Sequence, residues 1–525
     1  MPHASTPASP ALTAQIVQRL REIVGDDAVT DHAALNADKD WPLRDPYWVP
    51  GDDTYAPSVA VHPADTAQIQ AILKLAGETG IPVWTHSQGR NNGYGGPSPR
   101  VGGSISISLR RMNRILEIDE DLAYAVVEPG VRWFDLYDEL RARGSRLMLS
   151  IPDLGWGSVI GNSLDNGVTY LPYGADFMAP TGMEVVLADG TLLRTGMGAM
   201  PDNPTWHLYK RGVGPALDPL FTQSNLGIVV KMGVWLAPRP ETYAPLKMTL
   251  ARDEDLAQAV DVLRELRLRN QLRGVPCLYS TLMAATMTGV PEVIRRSEEG
   301  MVPEEEIDEI AVRTGLGRWY LRAAVWGTSA EVDVQLAQIR AAWASIPGST
   351  LTVEGRYTPE EYEGIESISN RITVGVPNLD AIRYKGEGFG HIGIAPLVPL
   401  EGSRVMRVVE TVRATTEERT GLNYKAGVML LNERTCAVVS AINFDPRQAD
   451  ETRAAYETAR ALVHELAALG YSEYRSHLDF MQEVADFMSW NDHAYRRFVE
   501  RIKDAVDPAG ILSPGRYGIW PARDR

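Results

Sequence analysis

Ile81-Pro82-Val83-Trp84-Thr85-His86-Ser87-Gln88-Gly89-Arg90-Asn91-Asn92-Gly93-Tyr94-Gly95-Gly96 carries a strand-like run into a loop almost bare of side chains. Glycine lets backbone amides turn inward and approach a ligand closely. Successive inward N–H groups form an anion nest that suits a phosphate or pyrophosphate. The alternative is an ordinary surface turn. Tyr94 is the misfit: a phosphate loop has no evident use for it, so it could reach a second ligand. G-x-x-x-x-G-K-[ST] is absent, and so is a G-x-G-x-x-G between a strand and a helix.

The segment ahead of the loop predicts a strand–helix–strand unit. Val59-Ala60-Val61 is a short strand. Asp65 and Gln68 form a capping pair, and Ile69, Ile72, Leu73 and Ala76 share one helical face. Gly77 and Gly80 are the expected stops, and Ile81 to Thr85 the next strand. Ser104 to Leu109 alternates strictly and predicts a half-buried strand. Strands follow at 115–118 and 124–127, a helix at 131–143, a hairpin around Asp189-Gly190 and a buried strand at 228–236. Pro238-Arg239-Pro240 marks a boundary. Beyond it, helices at 253–269, 329–345, 401–420 and 450–469 alternate with strands, which predicts helices on one face of an antiparallel sheet. The tail after Asp507-Pro508 is turn-rich and should pack back on another domain.

Composition narrows the function classes. The chain has 525 residues, 44% hydrophobic and 23% charged, with a net charge of -16. That charge disfavours nucleic acid and anionic membrane as partners. Two cysteines, Cys277 and Cys436, and nine histidines without a ligand spacing predict neither a disulfide framework nor a metal site. No apolar run is long enough to span a membrane. Residues 1–10 read as a disordered leader without a signal-peptide core, so a cytoplasmic location is expected.

Three further stretches could carry chemistry. Pro152-Asp153-Leu154-Gly155-Trp156-Gly157-Ser158, continuing to Gly161-Asn162, holds a carboxylate at a proline-constrained bend. Asp153 is either a helix N-cap or turn former, or a catalytic acid. Tyr474-Arg475 is either a surface pair or a site for an anionic oxygen, which the planar guanidinium suits. His391, in Gly386-Glu387-Gly388-Phe389-Gly390-His391-Ile392-Gly393, reads alone as a satisfied core histidine.

Taken together, these segments resemble the flavoprotein oxidases of the vanillyl-alcohol oxidase type, within them the 4-alkylphenol oxidases. Glu128-Pro129-Gly130, Tyr170-Leu171-Pro172-Tyr173-Gly174, Gly182-Met183-Glu184, Phe221 through Val229, Glu473-Tyr474-Arg475-Ser476-His477 and Asp507-Pro508-Ala509-Gly510 add to the match, which runs in order from 15 to 520. The resemblance implies an α+β chain with a two-part FAD-binding domain of the p-cresol methylhydroxylase type. Its first part is 1–240; an α+β cap with an antiparallel sheet spans 241–472; 473–525 completes the FAD domain and active site. FAD would be held by Ser87, Gly89, Arg90, Asn91, Asn92, Gly93, Pro152, Leu154, Gly155, Gly157, Ser158, Gly161, Asn162, Glu184, Gly227, Ile228, Val229 and Arg516.

His391 falls where the oxidases attach the flavin covalently; in the related flavocytochrome hydroxylases a tyrosine serves. Tyr94, Tyr474 and Arg475 fall on the residues that hold a substrate phenolate, Asp153 on the carboxylate beside flavin N5, and Tyr170 on a further active-site tyrosine. The implied reaction is hydride transfer from the Cα of a para-substituted phenol to the flavin through a quinone methide, with O₂ as acceptor and H₂O₂ as product. A cytochrome acceptor is the alternative. A homodimer or larger homo-oligomer is implied. Two departures stand out. Arg516 stands where the family often has lysine. Tyr424 to Met429 does not align cleanly, and Gly427 and Met429 are expected to line the ring pocket, with room for ortho-methoxy groups.

Overall fold

The computed structural model describes residues 9–37, 42–171, 178–383 and 389–525. Most of the leader, the Pro172-Tyr173-Gly174 part of its motif, and Gly386-Glu387-Gly388 ahead of His391 lie outside the described residues.

The strand–helix–strand unit forms as its caps dictate: strand Val59–Val61, helix Thr66–Thr79, strand Val83–His86. The Gln68 amide donates to Asp65 Oδ1 at 2.9 Å. The Gln68 side chain accepts from the Ala64 amide, one residue before the cap. Gly80, at φ +70°, ends the helix, whereas Gly77 lies within it and stops nothing. Both strands pair in parallel with Ile105–Ser108, which lies between them. A strand in that place is covered on both faces, and all four of its residues are buried. The half-buried expectation therefore fails. The alternation is real, but its serine face is also covered, with Ser106 Oγ 3.1 Å from His86 Nε2.

A five-stranded antiparallel sheet comes next, in the order Ile115–Asp119, Tyr124–Val127, Ile228–Trp235, Pro180–Val186, Leu192–Arg194. The last two form the hairpin expected at Asp189-Gly190. The third sheet has eight strands and includes Thr242–Leu250, Trp319–Gly327, Cys277–Ser280, Gly427–Met429, Thr435–Phe444 and Gly390–Ile394. Helices Leu256–Leu268, Ser329–Trp343, Gly402–Thr420 and Ala449–Ala468 cover one face, burying Leu263, Ile339, Val409 and Leu462 against Leu246, Leu321 and Val438. That is the predicted layer. The opposite face carries Thr281–Thr288, Pro291–Arg296 and Glu304–Thr314, packed on Cys277, Tyr279 and Tyr320. Strand alternation puts Leu321 and Ala323 in the first layer and Tyr320 in the second, the side Arg322 shares.

The tail returns to the first sheet. Val83 donates to Ile511 O and accepts from the Ser513 amide, both at 2.8 Å. Before it runs a helix, Trp490–Val506, kinked at 491–493, for which the sequence reading placed no element. Lys503, fully buried, ties the tail down: Nζ donates to Asn225 O at 2.8 Å and Leu512 O at 2.7 Å, and lies 2.7 Å from Asp507 Oδ2. Asp507 in turn accepts from the Ile511 and Leu512 amides. Lys503→Met leaves that carboxylate buried without its cation. Denaturant unfolding is expected to show a loss of about 3–5 kcal/mol; an unchanged midpoint would refute the tie.

Candidate active site

The glycine loop turns through four positive φ values, at Gly89, Gly93, Gly95 and Gly96. Two of these glycines are the most tightly enclosed. A Cβ on Gly93 would lie 2.5 Å from His391 Nε2, and one on Gly95 2.5 Å from Leu478 Cβ. Backbone bonds seal the approach: Gly393 N donates to Gly93 O at 2.9 Å, and Leu478 N to Tyr94 O at 3.2 Å. The missing side chain of Gly393 makes room in turn for the Tyr94 ring, whose Cζ lies 2.6 Å from where that Cβ would be.

The loop forms one wall of a cavity of about 380 Å³. Ser87, Gly89, Arg90, Asn91, Asn92 and Tyr94 line it from this side. The second glycine stretch supplies Pro152, Asp153, Leu154, Gly157, Ser158, Gly161 and Asn162. Ser158 caps the helix Val159–Leu164, accepting from Gly161 N at 2.9 Å. Gly161 packs so tightly on Ser87 that no Cβ fits. Gly227, Ile228, Val229, Arg516 and Met429 complete the predicted part of the lining.

Tyr94, Tyr474 and Arg475 meet on this cavity. The Arg475 guanidinium carbon sits 4.2 Å from the Tyr94 ring centre and 5.6 Å from that of Tyr474. Gln223 Nε2 holds the Tyr474 carbonyl at 2.8 Å. Burial, then Tyr474, pushes the Tyr94 hydroxyl well above the usual phenol range, so it stays a proton donor near neutral pH. Burial opposes the Arg475 charge, yet Tyr474 and Tyr94 carry its pKa above the ordinary value. A phenolic oxygen entering here meets a fixed cation and a phenolic donor.

Asp153 lies on the same cavity, with both oxygens engaged. Tyr170 donates to Oδ2 at 2.6 Å, and Arg322 Nη1 to Oδ1 at 3.1 Å. Burial, then Asp153, holds the Tyr170 proton in place. The bend residue is thus an ion-paired carboxylate, not a helix cap.

Other predicted site residues stand off the lining. His391 backs Gly93, between the lining residues Asn92 and Tyr94, with its ring 5.7 Å from that of Tyr47. Gly155 packs on Phe134 and Pro377, its amide donating to Asn378 O. Glu184 pairs with Arg194 at 2.8 Å and Lys231 at 2.9 Å, so its carboxylate is spent away from the cavity. Gly427 sits against Tyr279, one strand pleat from the lining Met429.

Sequence reasoning missed Arg322, Asp165, Ser224 and Asn225. For Arg322 the signal was present: one arginine inside Trp319-Tyr320-Leu321-Arg322-Ala323-Ala324-Val325-Trp326 must face a partner. Asp165 lies 3.9 Å from Arg516, whose guanidinium carbon is 5.4 Å from the Trp84 ring.

The FAD binding domain model matches residues 57–196, and the C-terminal domain of FAD linked oxidases matches 436–517. The 4-cresol dehydrogenase (hydroxylating) flavoprotein subunit of Pseudomonas putida is 35% identical over 511 residues, 96% of this chain and 95% of its own. The chain belongs to the FAD-linked oxidases of the vanillyl-alcohol oxidase type. A 4-ethylphenol oxidase from Gulosibacter chungangensis, solved with isoeugenol, superposes on this family member with TM-score 0.90 at 33% identity, covering 99% of this chain and 100% of that one. A p-cresol methylhydroxylase solved with substrate gives 0.88 at 33% identity, over 98% and 99%. The 1'-carboxy-chondrochloren decarboxylase of Chondromyces crocatus is 31% identical over 510 residues, 88% of this chain and 91% of its own.

This family member is a flavoprotein oxidoreductase, and its cavity suits FAD. Among the described residues, Asn92 Oδ1, Ser224 Oγ, Asn225 Oδ1, Arg475 Nε and Arg516 Nε are buried without a hydrogen-bond partner, and all five residues line the cavity. Buried polar atoms left open in this way are what a polar ligand would satisfy. Among the described residues no helix is long and apolar enough to cross a membrane.

Glu473, next to the Tyr474-Arg475 pair, has a buried carboxylate, and burial pushes its pKa up to about 8 against the opposing pull of the Ala395 backbone. The unfolded chain releases this proton at about 4.3, so the folded state binds the extra proton between those values. Stability therefore falls as pH rises through that window, by at most about 1.4 kcal/mol per unit from this group. Glu473→Gln should flatten the pH dependence of the melting temperature over this window. Parallel curves for the two proteins would contradict the assignment.

Proposed function

We propose that the protein oxidises para-substituted phenols at the carbon attached to the ring, with O₂ as electron acceptor and H₂O₂ as product. The observation that carries this reading is the convergence of Tyr94, Tyr474 and Arg475 on one cavity with the Asp153–Tyr170 pair. Similarity to a 4-ethylphenol oxidase and a 4-cresol dehydrogenase supports the substrate class.

A free phenol has a pKa of about 10, so binding it as an anion at pH 7 takes about 4 kcal/mol of preference. Arg475 supplies charge, and Tyr94 and Tyr474 supply hydroxyls, in a site largely removed from water. Charge-assisted hydrogen bonds in such surroundings are roughly twice as strong as neutral ones. The phenolate drives electron density toward the para substituent, which eases loss of hydride from its first carbon. FAD, when bound, would supply the hydride acceptor. Asp153, ion-paired with Arg322 and oriented by Tyr170, stabilises the electron-poor quinone methide and directs water to it.

Ser87 to Gly93, Pro152 to Asn162, Gly227 to Val229 and Arg516 would hold the cofactor. His391, packed on Gly93, would carry a covalent bond to it. In this reading 1–240 and 473–525 form the cofactor domain, and 241–472 the cap that shapes the phenol pocket through Gly427 and Met429. Guaiacyl and syringyl phenols, eugenol and vanillyl alcohol fall within the proposed substrate class. A cytochrome acceptor is the second reading, favoured by the dehydrogenase name of the Pseudomonas putida relative. His391 at the attachment position supports the oxidase.

Purified protein mixed with 4-ethylphenol should consume O₂ and release peroxide. Reduction of cytochrome c without O₂ uptake would replace this reading by the second one. Arg475→Ala should lower kcat/KM by about a hundredfold or more, and unchanged kinetics would defeat the clamp. Acid-precipitated wild type should stay yellow while His391→Ala releases its colour; free flavin from the wild type would refute the covalent bond.

A further inference from the structure

Arg322 is the large charged side chain that the fold has least reason to bury. It lies mid-strand in Trp319–Gly327, where eight of the nine residues are buried, and its side chain is 1% exposed. Its Nη1 lies 3.1 Å from Asp153 Oδ1, the carboxylate with which it forms an ion pair. Two rings lie against the guanidinium, which is 4.2 Å from the centre of Tyr170 and 5.5 Å from that of Tyr279. Nη2 reaches Cys277 Sγ at 3.8 Å, and Nε has no hydrogen-bond partner among the described residues.

Stability does not account for this arrangement. Taking a guanidinium out of water costs several kcal/mol, and an apolar isostere in place of a buried ion pair is often neutral or stabilising. The beneficiary is the carboxylate. Asp153 sits on a loop with its side chain 33% exposed, where an unheld carboxylate would rotate freely. Tyr170 grips one oxygen and Arg322 the other, so a strand of the eight-stranded sheet fixes a group on the loop across from it.

We propose that Arg322 is the positioning residue of Asp153, holding the carboxylate in one orientation toward the reacting carbon of the substrate. This rests on the phenol-oxidising reading above. Arg322 does not line the cavity; it acts through Asp153, with the Tyr170 and Tyr279 rings keeping its charge from swinging away.

The test uses the FAD-loaded wild type, Arg322→Met, Arg322→Lys, Asp153→Asn and the Arg322→Met/Asp153→Asn double variant. Flavin content and melting temperature are recorded for each. Anaerobic flavin reduction by 4-ethylphenol should slow by about tenfold or more in Arg322→Met, with KM changed less than the rate. Arg322→Lys should recover part of the rate. In the Asp153→Asn background the arginine change should add less than about twofold, because coupled residues are not additive. The visible flavin spectrum, titrated with pH without substrate, should show a transition in Arg322→Met that the wild type and the double variant lack. Equal slowing by the arginine change in the wild-type and Asp153→Asn backgrounds would overturn the proposal, as would a flavin titration unchanged in Arg322→Met. If the wild type itself is not reduced by the phenol, the proposed function fails, and the flavin titration, which needs no turnover, still decides the role of Arg322.

Discussion

Three stretches of backbone meet at Gly93, Gly95 and Gly393 with no room for a Cβ between them, and the site depends on that meeting. Gly93 lies against His391, Gly95 against Leu478, and Gly393 against the ring of Tyr94. The stretches belong to the first sheet's loop, a strand of the eight-stranded sheet, and the segment before the C-terminal helices. One methyl group at any of the three positions would push them apart, and at Gly93 and Gly95 it would also require a φ that side chains resist. The close approach brings Tyr94, His391 and Arg475 to one place from positions far apart in sequence.

Electrostatics follow from the same construction. Arg475 is stacked on Tyr94 while Arg322 is stacked on Tyr170, and these two arginines sit in different settings. Arg322 is neutralised by Asp153 within the protein. Arg475 has its Nε without a partner among the described residues and borders the open space. One cation is spent on holding a carboxylate; the other is available to an incoming anion. Negative charge developing on a ligand would be stabilised beside Arg475 and Tyr94, because that pair resists losing its protons.

Much of this was legible in the sequence, and the rest was hidden for identifiable reasons. The strand–helix–strand unit announced itself through Asp65, Gln68 and Gly80, where local hydrogen bonding decides the structure. The last helix over the large sheet, Ala449–Ala468, carried an apolar stripe of Ala459, Leu462, Val463 and Leu466. Thr281–Thr288 did not: six of its eight residues are buried, so no polar face marks its period. The burial of Ser106 was invisible because alternation cannot report what covers its polar side. Glu184 looked like part of a cofactor motif, and only its neighbours Arg194 and Lys231 show where its charge goes. The partnership of Arg322 with Asp153 spans 169 residues and two segments, a distance at which spacing carries no information.

The central claim is that the cavity binds a phenol as its anion. The most direct test uses a phenol that cannot react, 4-tert-butylphenol, whose ring-attached carbon has no hydrogen to give. Added to the FAD-loaded protein at pH 7, it should produce the ultraviolet difference spectrum of a phenolate. The spectrum of the neutral phenol, or no binding at all, would contradict the account.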